Sequence, residues 1–323
     1  MKRLFFAIVA VALLWSGYWV FQAYSLRNSL EHWFEARQED GWEASYSDLA
    51  VRGFPNRLDV TFTDLVLANP DNQTVWEAPF FQMFSLVYTP GHWIFAWPDT
   101  QTLGTKDGTY QITSEGLRAS LVTEDDRILR TNLEAAILNI SGPTDLAMAG
   151  LNFGVAAEEE TPNRLRIGLS AQSIASSRGA LGPTTADKLD EVTLRTEMTF
   201  DKVWTKDALK GDKPQPTRIN LPLAEYKAGK LELKATGEWD VDSKGRLDGI
   251  GTLRAVNWRD MLDNATSNGD LPEGLAGLLS DSIGLVASLS GNKKTLDLTF
   301  SFDKGKISMG ILPLGNAPKI RFK

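Results

Sequence analysis

Side chains suited to acid–base or metal chemistry are scarce in this chain. Its 323 residues include two histidines, His32 and His92, and no cysteine. A Ser-His-Asp triad or a His-rich metal site therefore has almost nothing to draw on. Thiolate nucleophiles, disulfides and cysteine-held zinc or iron–sulfur centres are excluded outright. His92 follows Pro90-Gly91, the place of a turn residue, and His32 falls in a helical pattern. One string looks like a metal loop: DVDSKGRLDG sets Asp240, Asp242 and Gly245 where an EF-hand begins. Lys244 then stands at the fifth position and Gly251 at the twelfth, where a carboxylate is needed, so the string reads as a charged hairpin. Glu124-Asp125-Asp126 and Glu158-Glu159-Glu160 read as solvated loops, with a hydrolase working through paired carboxylates as the catalytic alternative. No P-loop, G-x-S-x-G elbow or H-E-x-x-H string occurs. The expectation is a protein without catalysis, cofactor or metal.

The residue types that do gather are aromatic. WEAPFFQMFSLVYTPGHWIFAW carries Trp76, Phe80, Phe81, Phe84, Tyr88, Trp93, Phe95 and Trp97, eight aromatics in 22 residues. Buried together they would form the core of a hairpin, since large apolar side chains are usually inside. Left open they would form an apolar ligand surface, with a lipid acyl chain as the matching ligand.

The elements that must position these residues start with a membrane signal. Lys2 and Arg3 precede an uncharged run from Leu4 to Tyr24, long enough to cross a bilayer as a helix. A cleaved signal peptide is the rival, but Ala10-Val11-Ala12 comes too early for its cleavage site, and Trp15, Tyr18, Trp19 and Tyr24 crowd the later positions. Those aromatics suit an interfacial belt, and the flanking bases put the N-terminus in the cytoplasm. The expected partner is thus a membrane, engaged through residues 4–24, with the remaining chain on the side away from the cytoplasm. Leu26, Leu30, Trp33 and Phe34 continue at helical spacing until Gly41, so a membrane-proximal helix is expected over 25–41 after an anchor over 1–24. With 41 acids against 34 bases, net charge −7, no nucleic-acid partner is expected.

From Trp42 onward the apolar period is two. Leu231, Leu233, Ala235, Trp239 and Val241 share one face of GKLELKATGEWDVD, and charged residues fill the other. NRLRIGLSA, EVTLRTEMTF and TLDLTFSF repeat the pattern, and Asp303-Lys304-Gly305 and Ser243-Lys244-Gly245 predict hairpins. One-sided alternation predicts a mainly β fold: a large antiparallel meander sheet, curved or half-open, with a few short helices. In RGFPNRLDVTFTDLVLANP, Gly53 and Pro55 suit a corner after a strand over 46–51. Leu58, Val60 and Phe62 then give way to Leu65 and Leu67, a phase slip that predicts a β-bulge near Thr63 and Asp64. The corner therefore reads as architecture. Pro214 and Pro216 mark 206–217 as the candidate linker between β regions over 42–205 and 218–323. Helices are expected near 257–287, with Asn257 as cap, Asp260 as its partner, and Leu275, Leu278, Leu279 and Ile283 as an apolar stripe.

Ala36-Arg37 to Gly41-Trp42, Gly53-Phe54-Pro55-Asn56-Arg57, Trp76-Glu77-Ala78-Pro79, Tyr88-Thr89-Pro90-Gly91-His92 and the terminal GILPLGNAP together resemble the bacterial membrane-anchored family called domain of unknown function 2125. A fainter similarity of texture links the chain to AsmA-like envelope proteins. The resemblance implies an inner-membrane anchor and a periplasmic β-rich body, with no catalytic residue to carry over. AsmA-like proteins are associated with lipid movement and envelope homeostasis, an analogy of fold. The expected function is envelope maintenance with lipid bound on an apolar sheet face. The alternative is a tethered scaffold holding an envelope protein partner through edge strands or loops.

Overall fold

The computed structural model describes residues 1–176, 190–209, 211–259, 266 and 294–322. It contains one long helix, α1 (Lys2–Glu39), and an antiparallel sheet of 18 strands. The chain divides into two compact units, Met1–Val122 with Glu134–Pro143, and Thr123–Leu133 with Thr144–Lys323.

The segments expected as anchor and membrane-proximal helix are one continuous helix. It ends where Gly41, at φ 84°, enters the left-handed region that an L side chain rarely adopts. The Gly41 amide donates to the Gln38 carbonyl and the Trp42 amide to the Arg37 carbonyl, the paired bonds of a Schellman cap. The Arg37 guanidinium lies over the Trp33 and Trp42 rings, 5.9 and 5.7 Å from their centroids, and holds Asp40 at 2.8 Å. Among the described residues α1 is the one helix long and apolar enough to cross a membrane, and its apolar stretch is not buried in the protein.

In the first unit β1 (Glu43–Ser45) and β2 (Asp48–Arg52) both pair with β3 (Arg57–Asn69), which pairs with β4 (Thr74–Leu86). Beyond β4 lie β5 (His92–Ala96) and β6 (Thr100–Thr105). β5 pairs with β8 (Arg118–Glu124), and β6 with β7 (Gly108–Glu115), which pairs with β9 (Arg127–Ser141). Phe34, from the polar half of α1, enters the core of Ala44, Leu49, Val60, Phe62 and Leu65. Its ring meets Tyr46 at 4.8 Å and Phe62 at 5.3 Å.

The phase slip falls where the sequence puts it, but without the expected bulge. The β3–β4 register runs without an extra residue from Arg57↔Leu86 to Asn69↔Thr74. Instead three strands change face along one line. Inward positions pass from Tyr46 to Leu49, from Phe62 to Leu65, and from Ala78 to Phe81, each skipping two residues. Asp64 makes the step at φ 48°, with its carboxylate accepting from Ser47 Oγ at 2.9 Å. Opposite it stands Pro79, which has no amide to contribute to the ladder. A shift shared by neighbouring strands preserves the pairing that a bulge in one strand would break.

In the second unit the sheet is a meander: β10 (Leu146–Ala157), β11 (Arg164–Ser176), β12 (Asp190–Phe200), β13 (Pro216–Ala228), β14 (Leu231–Val241), β15 (Leu247–Val256), β16 (Thr295–Asp303), β17 (Lys306–Met309) and β18 (Leu312–Asn316), each antiparallel to the next. Of the stretch 206–217, residues 206–209 and 211–215 lie inside this unit between β12 and β13, which pair with each other, and 216–217 begin β13. Both expected hairpins form. Lys304 and Gly305 take φ 48° and 83° in the two-residue turn before Lys306. Trp239 lies across Gly237 and Gly251, where an added Cβ would come within 2.3 and 2.7 Å of its ring, and it meets Phe302 edge-on at 5.6 Å.

Trp258 and Arg259 begin a helix, and most of the helical region expected near 257–287, with Asp260 and the leucine stripe, lies outside the described residues. Asn257, whose expected partner Asp260 lies outside the described residues, stands immediately before Trp258. At φ 56° it donates its side-chain amide to the Lys230 carbonyl at 2.6 Å.

Candidate functional site: the corner beside the helix

Gly53 opens a corner that only glycine fits: φ is 103°, and a Cβ would stand 2.8 Å from both Arg57 Cβ and the Arg57 carbonyl oxygen. The Arg57 amide closes the turn on the Gly53 carbonyl at 2.8 Å. The apolar half of α1 grips this corner through two tryptophans one turn apart. Trp15 Nε1 donates to the Pro55 carbonyl at 2.9 Å and Trp19 Nε1 to the Arg57 carbonyl at 2.8 Å. The Trp19 ring meets Phe54 edge-on at 5.5 Å. Just above, Ala23 packs with Leu58 and Val87. The Val87 amide donates to the Asn56 carbonyl at 3.0 Å, so the β4–β5 loop is joined to the corner.

On the sheet face away from α1 this neighbourhood opens into a cleft of ≈ 380 Å³ lined by Arg57, Phe84, Ser85, Leu86, His92 and Ile94. Phe84 and Ile94 are cross-strand partners, so both side chains point the same way. Arg57 lies over the Phe84 ring at 5.6 Å and gives its Nε to Asp59 at 2.9 Å. Ser85 Oγ donates to the His92 carbonyl at 2.8 Å, fixing the mouth of the β4–β5 hairpin. Ile94 in the cleft is 42% exposed, and Phe54 (57%) of the corner and Tyr88 (60%) of the β4–β5 loop leave further large apolar surface uncovered.

The eight aromatics do not form one surface. Trp76, Phe81, Phe95 and Trp97 make a chain of ring contacts 5.4–6.2 Å apart on the helix side of the sheet. Trp76 and Phe81 pack on the Phe34 core, and Trp76 Nε1 donates to the Gln101 side chain at 2.7 Å. Trp93 is half-buried, whereas Phe80 and Tyr88 are exposed. Of the eight, Phe84 alone lines the cleft. Sequence reasoning missed Phe54, Arg57, Leu86 and Ile94 as surface residues because it took the corner for architecture only. The signal was the four-residue spacing of Trp15 and Trp19 within an otherwise apolar run.

Each acidic string contributes to ion pairs. Asp126 holds Lys206 at 3.0 Å, Glu124 holds Arg127 at 3.0 Å, and Glu158 holds Arg164 at 3.2 Å. Asp242 serves its own hairpin, accepting from the Lys244 and Arg246 amides and pairing with the Arg246 guanidinium. These bonds hold its carboxyl down at about 2. Among the described residues no three His, Asp or Glu side chains gather as a metal site would need. Among the described residues a part-buried ionisable pair is notable: Tyr226 donates to Asp190 Oδ2 at 2.5 Å, and burial pushes both groups above their ordinary values.

Fold and site together define a β-sheet protein carried on an apolar N-terminal helix, with an open apolar cleft on the sheet face away from that helix. Residues 19–318 match the family described as an uncharacterized protein conserved in bacteria (DUF2125), and the chain belongs to that family. No curated protein and no solved structure matches it.

Proposed function

We propose that this is a single-pass protein of the bacterial inner membrane that works without catalysis, holding a periplasmic β-sheet against the bilayer for envelope maintenance and lipid binding. The observation that carries the reading is the continuity of α1. One uninterrupted helix runs from a largely exposed apolar half, touched only at the corner, into the Phe34 core, so whatever holds the helix also orients the sheet. Lys2 and Arg3 favour a cytoplasmic N-terminus by the positive-inside rule. The test is fractionation of cells expressing the full chain, with alkaline carbonate washing of the membranes. The expected outcome is full-length protein that resists the wash and is cut by protease added to the periplasmic side. A shortened form released by the wash would point to a cleaved leader and overturn the reading.

The alternative, a tethered scaffold, is favoured by β18. It pairs only with β17 among the described residues and leaves Leu312 and Leu314, with Ile311 before it, exposed on an edge strand. Stoichiometric recovery of one envelope protein on cross-linking, lost in Leu314→Glu, is the outcome that would favour it.

A further inference from the structure

We infer that the Gly53–Arg57 corner and the neighbouring β4–β5 loop lie inside the outer leaflet, and that the Arg57 cleft takes one membrane phospholipid, its phosphate at Arg57 and an acyl chain against Phe84, Leu86 and Ile94. The inference rests on the proposed membrane anchor and assigns its lipid to a site. Helix arithmetic carries the first half. From Leu4, where the charges end, to Leu14, below the first residue bonded to the corner, the helix rises about 16 Å, and the hydrocarbon core is about 30 Å thick. The helix alone cannot cross before it meets Trp15. The full apolar run from Leu4 to Tyr24 rises about 31 Å, which does match the core, so the bilayer must also contain whatever Trp15 and Trp19 hold. They hold Pro55, Phe54 and the backbone of Arg57. Tilting α1 shortens its projected length and sinks the corner deeper.

The occupant follows from that depth. Phe54, Leu86, Tyr88 and Ile94 are the exposed apolar side chains of this neighbourhood, and lipid is the solvent they would meet. Arg57 starts about 8 Å below the level of Tyr24 by the rise of α1, within reach of the headgroup layer for a long side chain that snorkels. β3 and β4 climb from the corner toward the Phe34 core, and the Arg57 guanidinium reaches up to Asp59 and the Phe84 ring, one pleat above its own backbone, so the phosphate end of the cleft is the interfacial end and Leu86 lies deeper. The guanidinium bonds Asp59 through Nε alone, which leaves its two Nη groups for a phosphate fork. With Asp59 so near, the pair carries little net charge. The site therefore selects for a phosphate on an acyl chain and not for an anionic lipid as such.

The experiment uses the full chain, purified in micelles, offered phosphatidylethanolamine, phosphatidylglycerol or diacylglycerol, and weighed by native mass spectrometry. Flotation of the same preparations with vesicles of the two phospholipids reads the anchor separately. The wild type should float and retain one phospholipid, either headgroup, at least about tenfold better than diacylglycerol. Arg57→Gln should float equally and lose that preference by about tenfold, and Ile94→Glu should float and retain neither lipid class. Should Ile94→Glu fail to fold, Arg57→Gln alone decides. Phospholipid retention unchanged in Arg57→Gln, or displaced by inorganic phosphate alone, would overturn the cleft assignment while leaving the anchor intact. Failure of the wild type to float would overturn the anchor itself.

Discussion

At the scale of single residues the chain shows where physical demands are local and strict. Gly53 combines a left-handed φ with 2.8 Å clearance to Arg57, so Gly53→Ala is expected to cost about 2–3 kcal/mol, read as a lower urea midpoint of the first unit. Asp190 is a second such residue, 5% exposed at the start of β12. Burial raises its carboxyl above the ordinary 3.8, with the Tyr226 hydroxyl pulling partly the other way. A raised acid favours the protonated folded state. Its contribution is therefore fully present below pH 3.8 and is lost as the pH rises through the higher folded value. Asp190→Asn keeps an acceptor for Tyr226 without the buried charge. It should raise the thermal midpoint at pH 7 and converge with the wild type near pH 3. A variant less stable at pH 7 than at pH 3, relative to wild type, would contradict that account. Asp242 runs the opposite way: its carboxyl is held at about 2, so its hairpin contribution persists above pH 3.8 and fades as the pH falls through about 2.

At the scale of elements, α1 has two jobs joined in one helix. Its upper half is a core element, and Phe34→Ala should cost about 3–5 kcal/mol and loosen the sheet against the helix, visible as lost near-ultraviolet dichroism while far-ultraviolet strand signal persists. Its lower half is a clamp. Trp15→Phe with Trp19→Phe leaves the Pro55 and Arg57 carbonyls without their indole donors, about 1 kcal/mol for each bond. Hydrogen exchange at Asn56 and Arg57 should then rise while the Val60 and Phe62 amides stay protected. The strands were legible in the sequence because period-two alternation states which face is buried. β14 shows Leu231 to Val241 inward as read, and the hairpin at Lys304-Gly305 forms where its turn chemistry lies. The phase slip at Asp64 was legible too, but not its mechanism, since one strand's pattern cannot say whether its neighbours shift with it. The bond from the Asn257 side-chain amide to Lys230 was not legible, since local spacing says nothing of a partner 27 residues away. The aromatic stretch was misread as one candidate surface because composition does not reveal that Phe81 and Phe84 face opposite sides of one sheet.

At the scale of the whole molecule, the chain combines a β-rich body with a helix whose apolar half is fastened to that body. A freely tethered domain would leave its anchor by a flexible linker. Here the Trp15 and Trp19 bonds and the Phe34 core fix the depth of the corner relative to the helix, and depth is what the functional reading turns on. It can be measured cleanly, because the chain has no cysteine to compete with an engineered one. Nitroxides placed by Tyr88→Cys and Asp71→Cys on the full chain in phospholipid bilayers would report access to oxygen, enriched in hydrocarbon, and to a water-soluble nickel complex. Asp71 sits in the turn beyond the far end of β3, at least about 40 Å from the corner by strand rise, and serves as the aqueous reference. The account predicts that the label at 88 is protected from nickel and accessible to oxygen, while the label at 71 shows the reverse. Equal nickel access at both positions would place the corner in water and contradict it.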